Sequence, residues 1–190
     1  MKCLSQFQKV REASRELVKI SSETMSSVLL QLADAAVANT HVILAENKKD
    51  LERMDPANPK YDRLLLSDKR IEGVASDICN EADLPCPIGE AIEHRILPNG
   101  LELTKVRVAL GVVGVIYEAR PNVTLDVFAL CFRSGNACVL KGGSDAWFSN
   151  QAIVAIIHDV LIKNGINPDI LQLLPPDRYA ADELMNAVGY

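Results

Sequence analysis

The chain has 190 residues, a formal net charge of −5, an apolar content of 48% and an aromatic content of 5%. This length allows one to two domains with a substantial core, and the aliphatic composition is typical of α/β folds. The acidic balance argues against nucleic acid as a partner, because phosphate binding needs a basic surface. The five cysteines form no C-x-x-C pair and no Cys/His cluster, so neither a metal site nor a disulfide framework is expected.

Reduced thiols indicate a cytoplasmic protein. The N-terminus is polar and helical in period, which is not the pattern of a signal peptide. No apolar run approaches membrane-spanning length, so no membrane association is expected.

Amphipathic helices are predicted in the first part of the chain. Apolar residues recur at helical spacing from Leu4 to a helix end near Ile20. A second helix is expected after a cap at Ser21 or Ser22, because serine side chains accept hydrogen bonds from the first turn. Further helices are predicted over His41–Met54 and, after another serine cap, over Ser67–Glu81.

An extended linker over residues 84–89 leads into a predicted β-hairpin. Its strands are Ala91–Leu97 and Leu101–Val108, and the turn between them is Pro98-Asn99-Gly100. Asn-Gly favours a hairpin turn that needs positive φ. The polar residues alternate along the second strand, so one face should be wet or pack on another subunit.

A βαβ unit is predicted next. Two apolar runs, Val106–Tyr117 and Ala137–Leu140, read as strands buried on both faces, and the helix Val123–Arg133 lies between them. This spacing suits parallel strands joined by a helical crossover.

The pattern then continues with a helix over Asp145–Lys163, a strand over Leu171–Leu174 and a helix over Tyr179–Val188. Three parallel strands amount to half of a doubly wound sheet. We therefore expect the Leu171–Leu174 side to be an exposed apolar edge that promotes association.

The strongest candidate site is the joint between strand and helix at Lys141-Gly142-Gly143-Ser144-Asp145. Glycines permit a sharp turn and the close approach of a ligand. The following helix N-terminus suits an anion or a ribose, and the lysine ends a strand where α/β sheets bind nucleotides. The alternative is an ordinary capped turn with a solvated lysine, since the chain has neither G-x-G-x-x-G after a strand nor G-x-x-x-x-G-K-[ST].

A second candidate, Arg120 and Asn122, follows the preceding strand at the same sheet edge. Arg120 could bind a carboxylate or phosphate, and Asn122 could donate a hydrogen bond to an oxyanion. The alternative is that Asn122 caps the next helix and Arg120 pairs with Glu118.

Four segments resemble γ-glutamyl phosphate reductase (glutamate-5-semialdehyde dehydrogenase), a family of the aldehyde dehydrogenase superfamily. They are LPNGLELTKVRVALGVVGVIYEARPNVTLDVFALCFRSGNACVLKGGSD (97–145), LAENKKDL (44–51), DRLLLSDKRI (62–71) and LPCPIGE (84–90). The run GVIYEARPNVT (114–124) is specific to this branch of the superfamily. The resemblance extends from about Val28 to the C-terminus.

The resemblance implies an incomplete doubly wound parallel sheet of the aldehyde dehydrogenase type, preceded by N-terminal helices and a β-hairpin. It implies an N-terminal helical segment of the nucleotide-binding domain (1–83), a linker with an oligomerisation-type hairpin (84–108) and a partial Rossmann-like NADP-binding domain (109–190). Such enzymes reduce L-glutamyl 5-phosphate to glutamate 5-semialdehyde with NADPH in proline biosynthesis. The implied partners are a second copy of the chain, through hairpin 91–108, and glutamate 5-kinase.

Within the implied cofactor site, Lys141 matches the lysine that binds the adenosine ribose. The family usually has Arg there, and Glu at the position of Asp145. Ser144 falls where many NAD-using relatives have a ribose-binding glutamate, which would leave room for the 2′-phosphate of NADPH. Gly142, Gly143 and Asp145 complete the loop, and Arg120 and Asn122 are the candidates for substrate or oxyanion binding.

The family is roughly twice as long as this chain, and its catalytic cysteine lies in a domain beyond Tyr190. Cys131 and Cys138 lie on apolar stripes and should behave as small hydrophobic residues. No catalytic residue is therefore assigned, and the isolated chain is expected to be inactive. The alternatives are a truncated paralogue that acts as a non-catalytic oligomerisation partner, and a free-standing nucleotide-binding module.

Overall fold

Five helices precede the first strand in the computed structural model of the chain, which describes residues 2–188. Their bounds are α1 Leu4–Leu17, α2 Ser22–Ala38, α3 Thr40–Leu51, α4 Tyr61–Leu64 and α5 Asp68–Asp83. Both predicted serine caps are confirmed: the Ser21 hydroxyl accepts from Thr24 N–H at 3.2 Å, and the Ser67 hydroxyl accepts from Arg70 N–H at 3.3 Å. Helix α4 has no counterpart in the sequence prediction, because its 4 residues are too few to show a period.

The predicted hairpin is present as antiparallel strands β1 (Ala91–Ile96) and β2 (Glu102–Val106). Gly100 has φ 83° in the turn, a conformation that favours glycine over residues with a Cβ. Every residue of both strands is exposed. The hairpin therefore extends away from the core that the rest of the chain forms.

The remaining strands form a parallel sheet in the order β3-β4-β5. The strands are β3 Val112–Ile116, β4 Ala137–Lys141 and β5 Leu171–Leu173, and the helices are α6 Val123–Arg133, α7 Trp147–Lys163 and α8 Arg178–Met185. A short 3₁₀ turn over Ser144–Ala146 precedes α7. The predicted α/β fold with N-terminal helices, a hairpin and an incomplete parallel sheet is confirmed.

Two sequence predictions about the strands are wrong. The apolar run from Val106 to Tyr117 is not one strand buried on both faces, because Val108 and Leu110 are exposed and β3 is only partly buried. The side of the sheet at Leu171–Leu174 is not exposed either, since both of these leucines are fully buried. Helix α1 covers that side, and the Gln6 side-chain amide donates to the Leu173 carbonyl at 3.0 Å. The partly exposed strand is instead β3.

The core surrounds β4, whose residues are all buried. Helices α1, α6 and α7 pack on this strand and its neighbours, and α2 and α5 pack outside them. The rings of Phe128 and Phe132 stack at 5.5 Å between centroids within this core. Within residues 2–188 no single helix is long and apolar enough to cross a membrane, and α2 with α3 would reach that length only as a pair bent by 65°.

A buried carboxylate on α3 caps helix α7. Asp50 Oδ1 accepts from Phe148 N–H at 3.2 Å, and Oδ2 accepts from Ser149 N–H at 2.8 Å and from its hydroxyl at 2.7 Å. Helix α7 has Ala146 at its own N-cap position, so it has no local side chain to satisfy its first N–H groups. Burial raises the pKa of Asp50, although the hydrogen bonds from Ser149 and Phe148 and the nearby Arg53 act in the opposite direction.

Asn47 extends this network to the loop before α5. Its side-chain amide donates to the Ser149 hydroxyl at 3.0 Å and to the Leu64 carbonyl at 2.9 Å, and its oxygen accepts from Leu66 N–H at 2.9 Å. Asn47 and Asp50 are both 1% exposed. The network therefore fixes α3, α7 and residues 64–66 relative to one another through direct hydrogen bonds.

Asp50→Ala should lower the free energy of unfolding by about 2–4 kcal/mol, because it leaves two helix N–H groups and a hydroxyl buried without an acceptor. Asp34→Ala, at an exposed position of α2, is the matched control and should change it by less than about 0.5 kcal/mol. Urea unfolding followed by circular dichroism measures both. Equal stability of the two variants would contradict the proposed importance of the cap.

Candidate nucleotide-binding site

Lys141 is the last residue of β4 and lies at the carboxyl edge of the sheet. It is in register with Ile116 of β3, and its carbonyl accepts from Tyr117 N–H at 3.1 Å. The residue is 9% exposed, yet its ammonium group makes no hydrogen bond or ion pair with any described residue. A positive charge is thus available at the strand ends, where parallel sheets bind nucleotides.

The two glycines after Lys141 are required by contacts inside the protein. A Cβ on Gly142 would collide with the Asn150 amide and lie 3.4 Å from the Tyr117 ring, and one on Gly143 would lie 3.4 Å from the Glu118 backbone. Neither glycine has positive φ. The glycines therefore let this loop pack closely against residues 117–118, whereas the sequence suggested a sharp turn and room for a ligand.

Three polar side chains that are buried or half-buried form a hydrogen-bonded chain beside the loop: Tyr117, Thr124 and Asn150. The Tyr117 hydroxyl lies 2.6 Å from Thr124 Oγ1, which donates to Asn150 Oδ1 at 3.0 Å. Burial raises the pKa of Tyr117 to about 12, so the hydroxyl stays protonated and donates to Thr124. The amide N–H₂ group of Asn150 has no hydrogen-bond partner among the described residues and faces Gly142.

Ser144 and Asp145 lie in the 3₁₀ turn at the entrance to α7. Ser144 is exposed and Asp145 is half-buried. The sequence suggests that the N–H groups at this helix start are free for an anion, but Asp50 already occupies those of Phe148 and Ser149. The Ser144 carbonyl accepts from the Arg53 guanidinium at 3.5 Å, so α3 also reaches this loop.

Arg120 and Asn122 line one cleft of about 370 Å³ between the start of α6 and helix α5. No residue of the Lys141–Asp145 loop lines this cleft. Glu118 pairs with Lys60 at 3.6 Å, so the alternative pairing of Arg120 with Glu118 is wrong, and Arg120 has no ion pair among the described residues. Asn122 occupies the N-cap position of α6, but its side chain does not cap the helix and instead donates to Asp126 Oδ2 at 3.2 Å.

Three carboxyl groups cluster behind this cleft. Glu81 and Asp77 lie on α5 and Asp126 lies on α6, and none of them has an ion pair within residues 2–188. Burial, and then the charges of Asp126 and Asp77, raise the pKa of Glu81 to about 7. One Glu81 oxygen is buried with no hydrogen-bond partner among the described residues. The lining of the cleft carries both signs of charge, since Arg63, Arg70 and Arg120 line it together with Asp62 and Asp77, and Arg70 pairs with Asp62 at 2.8 Å.

Cys131 and Cys138 are buried, as predicted for small hydrophobic residues. The neighbouring Cys131 and burial hold the pKa of the Cys138 thiol well above its usual range. A buried thiol of this kind is a poor nucleophile. All five cysteines are free thiols, and none lines the cleft at Arg120.

Sequence reasoning missed Asn47, Asp50 and Arg53. Asn47 and Asp50 recur at helical spacing with the buried Ile43, so the periodicity places them on the buried stripe of α3. A polar residue on such a stripe indicates a buried partner. For Arg53 the sequence offers no such signal, because its neighbour Ser144 is 91 residues away.

Comparison with solved structures defines the class of fold. A probable aldehyde dehydrogenase from Listeria monocytogenes superposes with a TM-score of 0.77 at 16% identity, over 98% of this chain and 39% of that one. A NAD-dependent benzaldehyde dehydrogenase from Corynebacterium glutamicum gives a TM-score of 0.69 at 18% identity, over 96% of this chain and 38% of that one. The chain thus has the fold of part of an aldehyde dehydrogenase.

Proteins with higher sequence identity to this chain carry the name of one family. The crystal structure of γ-glutamyl phosphate reductase from Thermotoga maritima superposes with a TM-score of 0.92 at 32% identity, over 97% of this chain and 46% of that one. A γ-glutamyl phosphate reductase from Chlorobium phaeobacteroides is 60% identical over 185 residues, which are 97% of this chain and 44% of the relative. The resemblance is confirmed: the chain matches the N-terminal part of γ-glutamyl phosphate reductases and spans less than half of their length. No family model matches the chain.

Glu81→Gln should remove a pH dependence of stability. The pKa of about 7 in the folded state exceeds the usual 4.5, so the folded protein keeps a proton that the unfolded chain releases, and stability falls as pH rises from about 4.5 to about 7. After allowance for solvent screening, the variant should gain about 1 kcal/mol at pH 8 and nothing at pH 4.

Urea midpoints measured between pH 4 and pH 8 test this expectation. Glu72→Gln, at an exposed position of the same helix, is the matched control and should keep the pH profile of the wild type. If the stability of the wild type does not fall across this pH range relative to that of Glu81→Gln, the raised pKa of Glu81 is contradicted.

Proposed function

We propose that this chain forms the nucleotide-binding part of an enzyme that reduces L-glutamyl 5-phosphate to L-glutamate 5-semialdehyde with NADPH, in proline biosynthesis. The observation that carries the proposal is the unpaired ammonium group of Lys141 at the carboxyl edge of the sheet. The similarity to γ-glutamyl phosphate reductases along 97% of the chain supports it. In such an enzyme NADPH supplies the hydride, and this chain binds and orients the cofactor.

The proposed division of the chain follows its elements. Residues 1–83 form a helical segment of the nucleotide-binding domain, 84–108 a linker and oligomerisation hairpin, and 109–190 a partial Rossmann-like NADP-binding domain. The packing of α1 on β4 and of α5 on α6 supports the first assignment. The cysteine nucleophile would come from a catalytic domain that these residues do not include, so the chain alone should be inactive.

The Lys141–Asp145 loop fits the ribose end of the cofactor. Lys141 would bind the adenosine ribose. Gly142 and Gly143 let the loop pack closely against the strand ends, and Ser144 has no carboxylate side chain. Asp145 is half-buried beside it. An acid at the position of Ser144 would repel a 2′-phosphate, so a serine there is compatible with NADPH.

The cleft at Arg120 and Asn122 fits an anionic substrate. A guanidinium without an ion pair can bind a carboxylate or a phosphate with two hydrogen bonds. We propose that Arg120 binds such a group of L-glutamyl 5-phosphate. The Asn122 amide already donates to Asp126, so an oxyanion role would require that bond to open.

Lys141→Met should weaken NADPH binding at least tenfold, or by about 1.4 kcal/mol, because it removes the cation at the strand end. Lys163→Met, at the exposed C-terminal end of α7, is the matched control and should bind like the wild type. The measurement is a titration of NADPH fluorescence. Equal dissociation constants for the two variants would contradict the cofactor site.

The exposed hairpin favours a second function, that of an oligomerisation partner. In the observed register Ile96 and Val106 share a face with Glu102 and with the hydrogen-bonded pair His94 and Thr104, while Leu103 lies with Glu93, Arg95 and Lys105 on the other face. Ile96 is 65% exposed, and exposed apolar side chains on both strands are typical of a subunit contact. We propose that two copies of the chain associate through this hairpin. Glutamate 5-kinase is a further proposed partner, for which co-sedimentation with the purified kinase is the test.

Ile96→Lys should raise the dissociation constant for self-association at least tenfold, because it replaces an exposed apolar side chain with a charge. Glu93→Lys introduces the same side chain on the opposite face and should associate like the wild type. Analytical ultracentrifugation over a range of concentrations gives both values. A wild type that stays monomeric throughout would contradict the contact.

A further inference from the structure

Arg53 brings a cation from the N-terminal helices to the loop proposed to bind the cofactor. It follows the end of α3, and its guanidinium donates to the Ser144 carbonyl at 3.5 Å. The same group lies over the Phe148 ring, 5.6 Å from the centroid. The Arg53 side chain is 53% exposed, so part of its guanidinium remains open to a ligand.

Two of the first N–H groups of α7 are not available to an anion at this position. A helix N-terminus next to a glycine loop commonly binds phosphate through these groups. Here Asp50 accepts hydrogen bonds from the N–H groups of Phe148 and Ser149. A phosphate beside Ser144 would therefore depend more strongly on a side-chain cation.

Two other lysines near the loop are held by carboxylates. Lys49 pairs with Glu46 at 2.5 Å and Lys60 pairs with Glu118 at 3.6 Å. The ion-pair partner of Arg53 is Asp50 at 4.0 Å, which is buried and already accepts three hydrogen bonds. Within residues 2–188, the cations that an added phosphate would meet are thus the unpaired Lys141 at the strand end and Arg53, and Arg53 is the one that contacts Ser144.

We propose that Arg53 determines cofactor specificity by binding the 2′-phosphate of NADPH beside Ser144. The inference rests on the proposed function, since it assumes that the adenosine ribose lies on the Lys141–Asp145 loop. A guanidinium suits the role because it forms two parallel hydrogen bonds with a phosphate. Its contact with Phe148 restricts the side chain before binding, which lowers the entropy lost on binding. The residue that distinguishes the two dinucleotides then lies just after α3, outside the βαβ unit that holds the ribose.

The test compares Arg53→Met with Lys48→Met, which removes a charge from an exposed position near the end of α3. Dissociation constants for NADPH and for NADH are measured by fluorescence titration, and unfolding midpoints show that both variants fold. Arg53→Met should raise the NADPH constant at least tenfold, and should change the NADH constant by less than about twofold. Lys48→Met should leave both constants unchanged, and Arg53→Lys should fall between the wild type and Arg53→Met.

The outcomes separate this inference from the proposed function. If the wild type binds NADPH and Arg53→Met binds both dinucleotides as the wild type does, the role of Arg53 is overturned and the cofactor site stands. A loss of equal size for NADPH and NADH overturns it as well, because a structural role would produce that result. A wild type that binds neither dinucleotide overturns both proposals.

Discussion

The cap that Asp50 places on α7 is the constraint on which the rest of the structure depends. Helix α7 begins without a side chain of its own to accept its first N–H groups, and α3 supplies the acceptor from nearly a hundred residues earlier. The buried carboxylate costs desolvation, which the hydrogen bonds from Ser149 and Phe148 offset in part, so that its pKa is raised. Since Asn47 continues the network to residues 64–66, the N-terminal helices hold one position relative to the sheet edge. The candidate cofactor loop lies directly at this joint.

The shape of the glycine-rich loop is set by contacts inside the protein. Gly142 and Gly143 are small because Asn150, Tyr117 and Glu118 lie against them, and the helix N-terminus behind the loop is already occupied. The cations at the loop are Lys141 at the strand end and Arg53, which contacts the Ser144 carbonyl. The shape of the loop is therefore set by the protein's own packing.

Charge is distributed differently in the second cleft. Arg63, Arg70 and Arg120 line it together with Asp62 and Asp77, and Asp77 lies close to Glu81 and Asp126. Burial, and then the like charges of Asp126 and Asp77, raise the pKa of Glu81. A surface with both signs of charge suits an amino-acid derivative better than a purely anionic ligand.

The sequence by itself determined the order and type of most elements, the serine caps at Ser21 and Ser67, the glycine turn at Gly100 and the family resemblance, because each depends on local periodicity or a contiguous motif. Only the tertiary structure decided which strand is buried, because the cover that α1 gives to β5 joins residues far apart in the chain. The same reason applies to the site. Lys141 could be identified at the end of an apolar run, but the occupation of α7 by Asp50 and the approach of Arg53 to Ser144 arise from packing between distant segments. Local sequence patterns reflect interactions between residues that are close in the chain, whereas the partner of a buried charge comes from the segment that packs against it in the folded protein.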